Sequence, residues 1–177
     1  MIGTFLIFAI VQAALALDCG KTEINNPQSM QFHVFSQEIS TGEVYLDGKI
    51  GDISRNVEFY VYRALPQSTI QIESLTFLTR FNPSEKSTKF FVFNSEMRME
   101  EQGKLNGVRI NANSNNNFKI QFLPQEFKVF TNGQLLQSVA RKFDKHGTIQ
   151  GLAIAGNFKT LSIDLNCNKL TKNGESS

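Results

Sequence analysis

The chain has 177 residues, with 18 Lys and Arg against 16 Asp and Glu, and a formal net charge of +2. That length suits one domain with a sizeable core. So small a charge gives no electrostatic case for nucleic acid or an anionic membrane surface.

The residues before Asp18, MIGTFLIFAIVQAALAL, carry no charged side chain. The run is too short and too close to the N-terminus for a convincing membrane span. Small residues at Ala14 and Ala16 fit an A-x-A cleavage site, so residues 1–16 are expected to be a signal peptide. An uncleaved anchor is the alternative. No later apolar run reaches spanning length, and the mature protein is expected to be secreted and soluble. Both cysteines, Cys19 and Cys167, lie in the mature chain. An even number in a secreted protein suggests a disulfide. A bridge within the chain, a bridge between two chains and two free thiols remain open at this stage.

Residues 17–30 are polar, with a turn at Asn26-Pro27, and read as a lead-in segment. A first strand is expected over Gln31 to Ser36. His33 lies within it and reads as a surface or satisfied residue rather than a ligand. Gly42 to Ile53, Val57 to Tyr62, Ser68 to Leu78 and Lys89 to Phe93 read as further strands, with Val108 to Ile110 as one more. Asn111 to Asn117 (NANSNNN) reads as a loop tip, because Asn tolerates left-handed backbone. Sustained helical periodicity is missing; only Val139 to Phe143 suggests a turn of helix.

The clearest stretch is Phe118 to Leu165. Phe118, Ile120 and Phe122 alternate with polar residues, and Phe127, Val129 and Leu135 resume the alternation around Asn132-Gly133. Period-2 alternation puts the apolar side chains on one strand face. Asn-Gly supplies the positive φ angles of a tight hairpin turn. Ile149, Leu152 and Ile154 lead to Gly156-Asn157, and Phe158, Leu161, Ile163 and Leu165 follow. That second run also reads as a hairpin. The basic loop Arg141 to His146 reads mainly as solvated, with a glycan or partner contact as the alternative. The tail, residues 168–177, is expected to fray.

Catalytic motifs are missing. The chain lacks G-x-S-x-G, H-E-x-x-H, CxxC and both phosphate-binding glycine fingerprints. Glycosidases need two carboxylates across one bond. Glu96, Glu100 and Glu101 are the only local cluster of acids and read as an exposed charged segment. No cofactor is expected. The one Asn-x-Ser sequence, Asn82-Pro83-Ser84, is blocked for N-glycosylation by its proline.

The order FKIQF, FKVFTNGQLL, basic loop, IQGLAIAGNFKTLSI resembles the C-terminal half of a galectin domain. The closest echoes are F-x-V-x-x-N-G at Phe127 to Gly133 and I-x-x-L-x-I-x-G at Ile149 to Gly156. The resemblance spans roughly Gly42 to Leu165. It implies an all-β fold, an antiparallel two-sheet sandwich of the jelly-roll kind, with one domain over residues 31–167. It also implies that the first and last strands run side by side, which would let Cys19 and Cys167 close a bridge.

Galectins bind a β-galactoside through H-x-N-P-R, V-x-N and W-x-x-E-x-R. In such sites polar side chains form a lattice around sugar hydroxyls while Trp lies on the apolar face of galactose. Against the first block, Asn82 and Pro83 match, while Arg80 and Ser84 replace His and Arg. Val92-Phe93-Asn94 matches the second block. In the third, Glu100 matches, Met97 stands where Trp would be and Gln102 replaces Arg. The resemblance therefore implies a ligand site at Arg80, Asn82, Asn94, Met97, Glu100 and Gln102. Two charged forks and the stacking platform are missing from it. Each charge-assisted hydrogen bond is worth about 1.5–3 kcal/mol, and a millimolar lectin affinity is only about 4 kcal/mol. A degenerate or re-specified site is expected.

The expected function is that of a secreted, non-catalytic carbohydrate-binding protein. Its expected partner is a glycan, with galactose-containing glycans as one candidate. The alternative is an extracellular protein-interaction module that has lost sugar binding. The sequence leaves the oligomeric state open.

Overall fold

A computed structural model describes residues 15–18, 20–25, 27, 30–39, 41–62, 75–93, 98–141 and 149–166. The strands in chain order are β1 (Leu15–Leu17), β2 (Gly20–Asn25), β3 (Met30–Ile39), β4 (Gly42–Ile50), β5 (Val57–Tyr62), β6 (Leu75–Asn82) and β7 (Ser87–Phe93). They continue as β8 (Met99–Asn106), β9 (Asn115–Phe122), β10 (Glu126–Thr131), β11 (Gln134–Ala140), β12 (Ile149–Ala155) and β13 (Phe158–Asn166). No helix occurs among the described residues. One sheet runs β1-β3-β12-β5-β6-β7-β8 and the other β11-β10-β9-β4-β13-β2. Every pairing is antiparallel except β1 with β3. The chain is an all-β sandwich, as its alternating pattern requires.

The alternation fixes which face is buried. Phe118, Ile120 and Phe122 of β9 and Phe127 and Val129 of β10 are inaccessible to solvent. They meet Val57, Phe59 and Val61 of β5 and Phe77 and Phe81 of β6 in one core between the sheets. Aromatic rings span that gap. Phe118 lies 5.0 Å from Phe59 and 5.1 Å from Phe81, and Phe77 stacks on Phe127 at 5.0 Å. Offset and edge-on ring pairs add to the area term that drives burial.

Turn residues sit where the backbone needs them. Asn132 and Gly133 both take positive φ, 49° and 80°, and join β10 to β11 as the Asn-Gly signal demands. The second expected hairpin is corrected. β12 and β13 belong to opposite sheets, so Gly156-Asn157 carries the chain across the sandwich. A side chain at Gly156 would place Cβ 2.8 Å from the Phe158 ring, which explains glycine at that crossing.

Other expectations also shift. The polar lead-in contains β2, which pairs with β13. Val108 to Ile110 is irregular rather than a strand, though Val108 and Ile110 are buried. Val139 lies in β11 and faces the core; the rest of the suggested helical turn after Arg141 is outside the described residues. Leu135 points away from the core and is 48% exposed. The last three residues of NANSNNN are strand, because Asn115 opens β9. Asn116 there is fully buried and bonds three times to the loop before it. His33 is corrected as well. It faces the core, is 2% exposed, and neither ring nitrogen has a hydrogen-bond partner.

Candidate functional site on the outer face of the first sheet

The face of the β1–β8 sheet that points away from the core carries a second apolar cluster. Tyr62, Leu78, Phe91, Phe93 and Ala153 form it, with Met30, Phe32 and Tyr60 packed alongside. Strand periodicity explains the split. In KFFVF, Phe90 and Val92 face the core while Lys89, Phe91 and Phe93 face outward.

At one end of that face the chain turns from β6 to β7. The Asn82 side-chain oxygen accepts hydrogen bonds from Ser84 Oγ at 2.7 Å and the Glu85 amide at 3.1 Å. An Asn that binds the backbone ahead of it shapes a turn, and Lys86 completes this one with φ of 51°. The turn sets Arg80 opposite Lys89 and Asn82 opposite Ser87. Next comes β8, where the register slips between Phe90 and Phe91. Lys104 pairs with Lys89, Glu101 with Phe91 and Met99 with Phe93. The slip leaves one extra residue, Gln102, in β8, and so changes which residues share a face.

Arg80, Asn82, Lys89, Phe91 and Met99, with Asn56, Glu85 and Ser87, line an open cleft of about 310 Å3. Met99 is 48% exposed and supplies a flexible apolar wall. The Arg80 guanidinium sits 5.6 Å from the Phe91 ring centre, a cation–π contact. Its Nε donates to Glu58 Oε1, and Tyr60 Oη donates to the other oxygen of the same carboxylate. Burial, followed by that bond to Glu58, pushes the Tyr60 hydroxyl well above its ordinary pKa. Lys89 Nζ pairs with Glu101 at 2.9 Å, and Glu85 accepts from Ser87 Oγ at 3.2 Å and Lys104 Nζ at 3.4 Å.

The structure brings only part of the expected site together. Arg80 and Asn82 line the cleft. Asn94 and Met97 lie outside the described residues. Glu100 stands opposite the core residue Val92, and the outward position beside it belongs to Glu101. Gln102 is the extra residue of the bulge. Glu58, Lys89 and Phe91 were missed, although VEFYVY and KFFVF both carried a signal. Their outward positions hold Glu58, Tyr60 and Tyr62 in one strand and Lys89, Phe91 and Phe93 in the other, mixtures of charge and aromatic surface that plain solvent exposure does not call for. In the basic loop, Arg141 is buried, donates from Nη1 to the Leu123 carbonyl at 2.9 Å and lies 5.0 Å from the Phe127 ring. It is a core-edge residue; residues 142–148 lie outside the described residues.

Solved structures share this architecture. A doubly substituted human galectin-16 superposes with a TM-score of 0.64 at 14% identity, over 81% of this chain and 99% of that one. The Caenorhabditis elegans galectin LEC-6 gives 0.60 at 14%, over 81% and 95%. The carbohydrate binding module CBM66 of Bacillus subtilis gives 0.57 at 15%, over 86% and 98%. No family model matches the chain, and no curated protein matches it. The fold is galectin-like, and at these identities the likeness is one of fold.

Proposed function

We propose that the chain is a secreted, non-catalytic glycan-binding protein whose ligand lies across the outer face of β6, β7 and β8. The observation that carries this is the open cleft. Arg80, Asn82 and Lys89 present polar hydrogens beside the apolar surfaces of Phe91 and Met99, and a sugar ring needs that combination of directed hydrogen bonds and an apolar wall. One protein of this fold is named a carbohydrate binding module, and another an agglutinin from chicken liver. A galactoside remains one ligand class, although the site lacks Trp and the charged forks of the galectin motif. A glycan array on the secreted protein, beside a Lys89→Ala/Met99→Ala variant, tests the assignment. Hits that the variant loses support it. A folded protein with no hits overturns it in favour of an interaction module.

The apolar N-terminal run is what supports secretion. Cleavage after Ala16 would cut β1 and leave β3 at the sheet edge; N-terminal sequencing of the exported protein checks the position. The cysteines lie outside the described residues, but their chain neighbours converge, with Gly20 of β2 opposite Leu165 of β13. A Cys19–Cys167 bridge over so long a loop contributes about 3–5 kcal/mol in the chain-entropy model. Two thiols titrating in denatured, unreduced protein would show that it does not form.

A further inference from the structure

The cleft is one-sided in its hydrogen bonding. Several acceptors in and beside it are engaged: both Glu58 oxygens by Arg80 and Tyr60, Glu85 Oε2 by Ser87 and Lys104, and the Asn82 oxygen by its own turn, which leaves Glu85 Oε1 and the Asn56 oxygen at the rim. Its donors are not used up. Arg80 spends only Nε on Glu58, which leaves the N–H groups of both Nη atoms, and its side chain is 34% exposed. The Asn82 oxygen is fixed inward to the turn, so its Nδ2 group turns outward with two hydrogens. Lys89 is 38% exposed and meets Glu101 only as a surface pair, which an incoming anion can displace at little cost.

A neutral sugar hydroxyl is best held by a group that accepts as well as one that donates. A centre where Arg80, Asn82 and Lys89 donors outnumber the remaining acceptors instead matches a carboxylate or sulfate, and bonds from Arg and Lys to such anions are the strong kind. A second observation extends the pattern. An adjoining cleft of about 200 Å3 shares Asn56 with the first and adds Arg55 and Asn157, with no acid in its lining. Asp52, whose carboxylate feels the Arg55 charge, is already bonded to Ser54 through its amide at 2.8 Å and its hydroxyl at 2.5 Å.

We propose that the site takes an acidic oligosaccharide, with one carboxylate or sulfate on Arg80 Nη, Asn82 Nδ2 and Lys89 Nζ and the glycan continuing past Asn56 to Arg55. This rests on the glycan-binding assignment and names the ligand class for it.

The experiment is calorimetric titration of the full secreted chain with three probes. These are a sulfated uronate–glucosamine hexasaccharide, the unsulfated uronate hexasaccharide of the same length, and lactose. The informative variant is Asn82→Asp, which keeps the turn-forming oxygen and replaces the outward donor with a second acceptor. The expected result is binding of one or both acidic probes, weakened about tenfold or more by Asn82→Asp and weakened further by salt. Arg55→Gln, in the adjoining cleft, weakens the acidic hexasaccharides as well. Binding of the sulfated probe alone identifies sulfate as the anchor; equal binding of both acidic probes identifies the carboxylate. Lactose binding without acidic binding overturns the inference and leaves the glycan site standing. Acidic binding that neither Asn82→Asp nor Arg55→Gln alters is diffuse charge attraction and overturns it too. A folded protein that binds none of the three overturns both the ligand class and the assignment beneath it.

Discussion

His33 offers the sharpest test of the packing. Its ring lies between the sheets, opposite Leu152, with Val61 in the next strand of the same row. Burial alone lowers its pKa from 6.5 to about 4. An unfolded chain binds the proton with a midpoint near 6.5, so in the window from about 6.5 down to about 4 the unfolded state holds more protons than the folded one. The folded state keeps its full stability above that window and loses it as pH falls through it. A span from 6.5 to about 4, at about 1.4 kcal/mol per pH unit, is worth roughly 3 kcal/mol in all. About 2 kcal/mol of this is lost by pH 5. Asp52 and Glu126, whose carboxyls are held below the usual range, stay ionised down to pH 5, and groups common to both proteins cancel in the comparison with a variant. The perturbation is His33→Leu, which removes the titrating ring and its two unpartnered nitrogens from an apolar site. Urea unfolding at pH 7 and pH 5, followed by tyrosine emission and circular dichroism, should show the wild type losing about 2 kcal/mol more than the variant across that interval. At pH 7 the variant should be equal or more stable, since it buries no unpaired polar atom. Equal losses in the two proteins would refute the reasoning and mean that the ring finds a partner or water where it sits.

Three further outcomes follow from the packing. Phe118→Ala removes a fully buried ring that touches Phe59 and Phe81; a loss of about 3–5 kcal/mol is expected in the same unfolding assay. Gly48→Ala would bring a methyl within 2.6 Å of the Phe158 ring, and the forced shift should cost about 1–3 kcal/mol, visible as a lower midpoint. Asn116→Ala strips a buried amide that holds the Asn111 amide and the carbonyls of Asn111 and Ser114. Leaving them unpaired should cost about 1–3 kcal/mol and speed hydrogen exchange in residues 111–114.

Some of this was legible in the sequence and some was not, for reasons that can be named. β9 and β10 alternate because one face of each meets the core, so their inward residues were evident. β2 was invisible because it is a sheet edge in which only Ile24 is even half-buried, and hydrophobic periodicity says nothing about such a strand. The Gly156-Asn157 signal is common to a hairpin and to a chain that crosses between sheets, so turn chemistry could not tell them apart. At the site, Arg80 and Asn82 were singled out by the galectin resemblance, and alternation along β6 agrees by putting both outside the core. Glu100 misled because one extra residue in β8 shifts the register, and a bulge among polar residues leaves no mark in the pattern. The burial of His33 was hidden for a different reason: its inward neighbour Gln31 is polar too, so that end of β3 does not alternate.

The order of the strands bears on how the chain can be built. β12 sits between β3 and β5, and β13 between β4 and β2. These two, the last in order among the described residues, therefore occupy interior positions, one in each sheet. Without them, each sheet is in two pieces with open edges facing the gap, and what joins those pieces is the apolar packing across the sandwich. Such edges invite pairing with other chains, and closing them requires contacts between distant parts of the sequence, which form slowly. The sheets therefore cannot close strand by strand in sequence order; closure of both waits for β12 and β13.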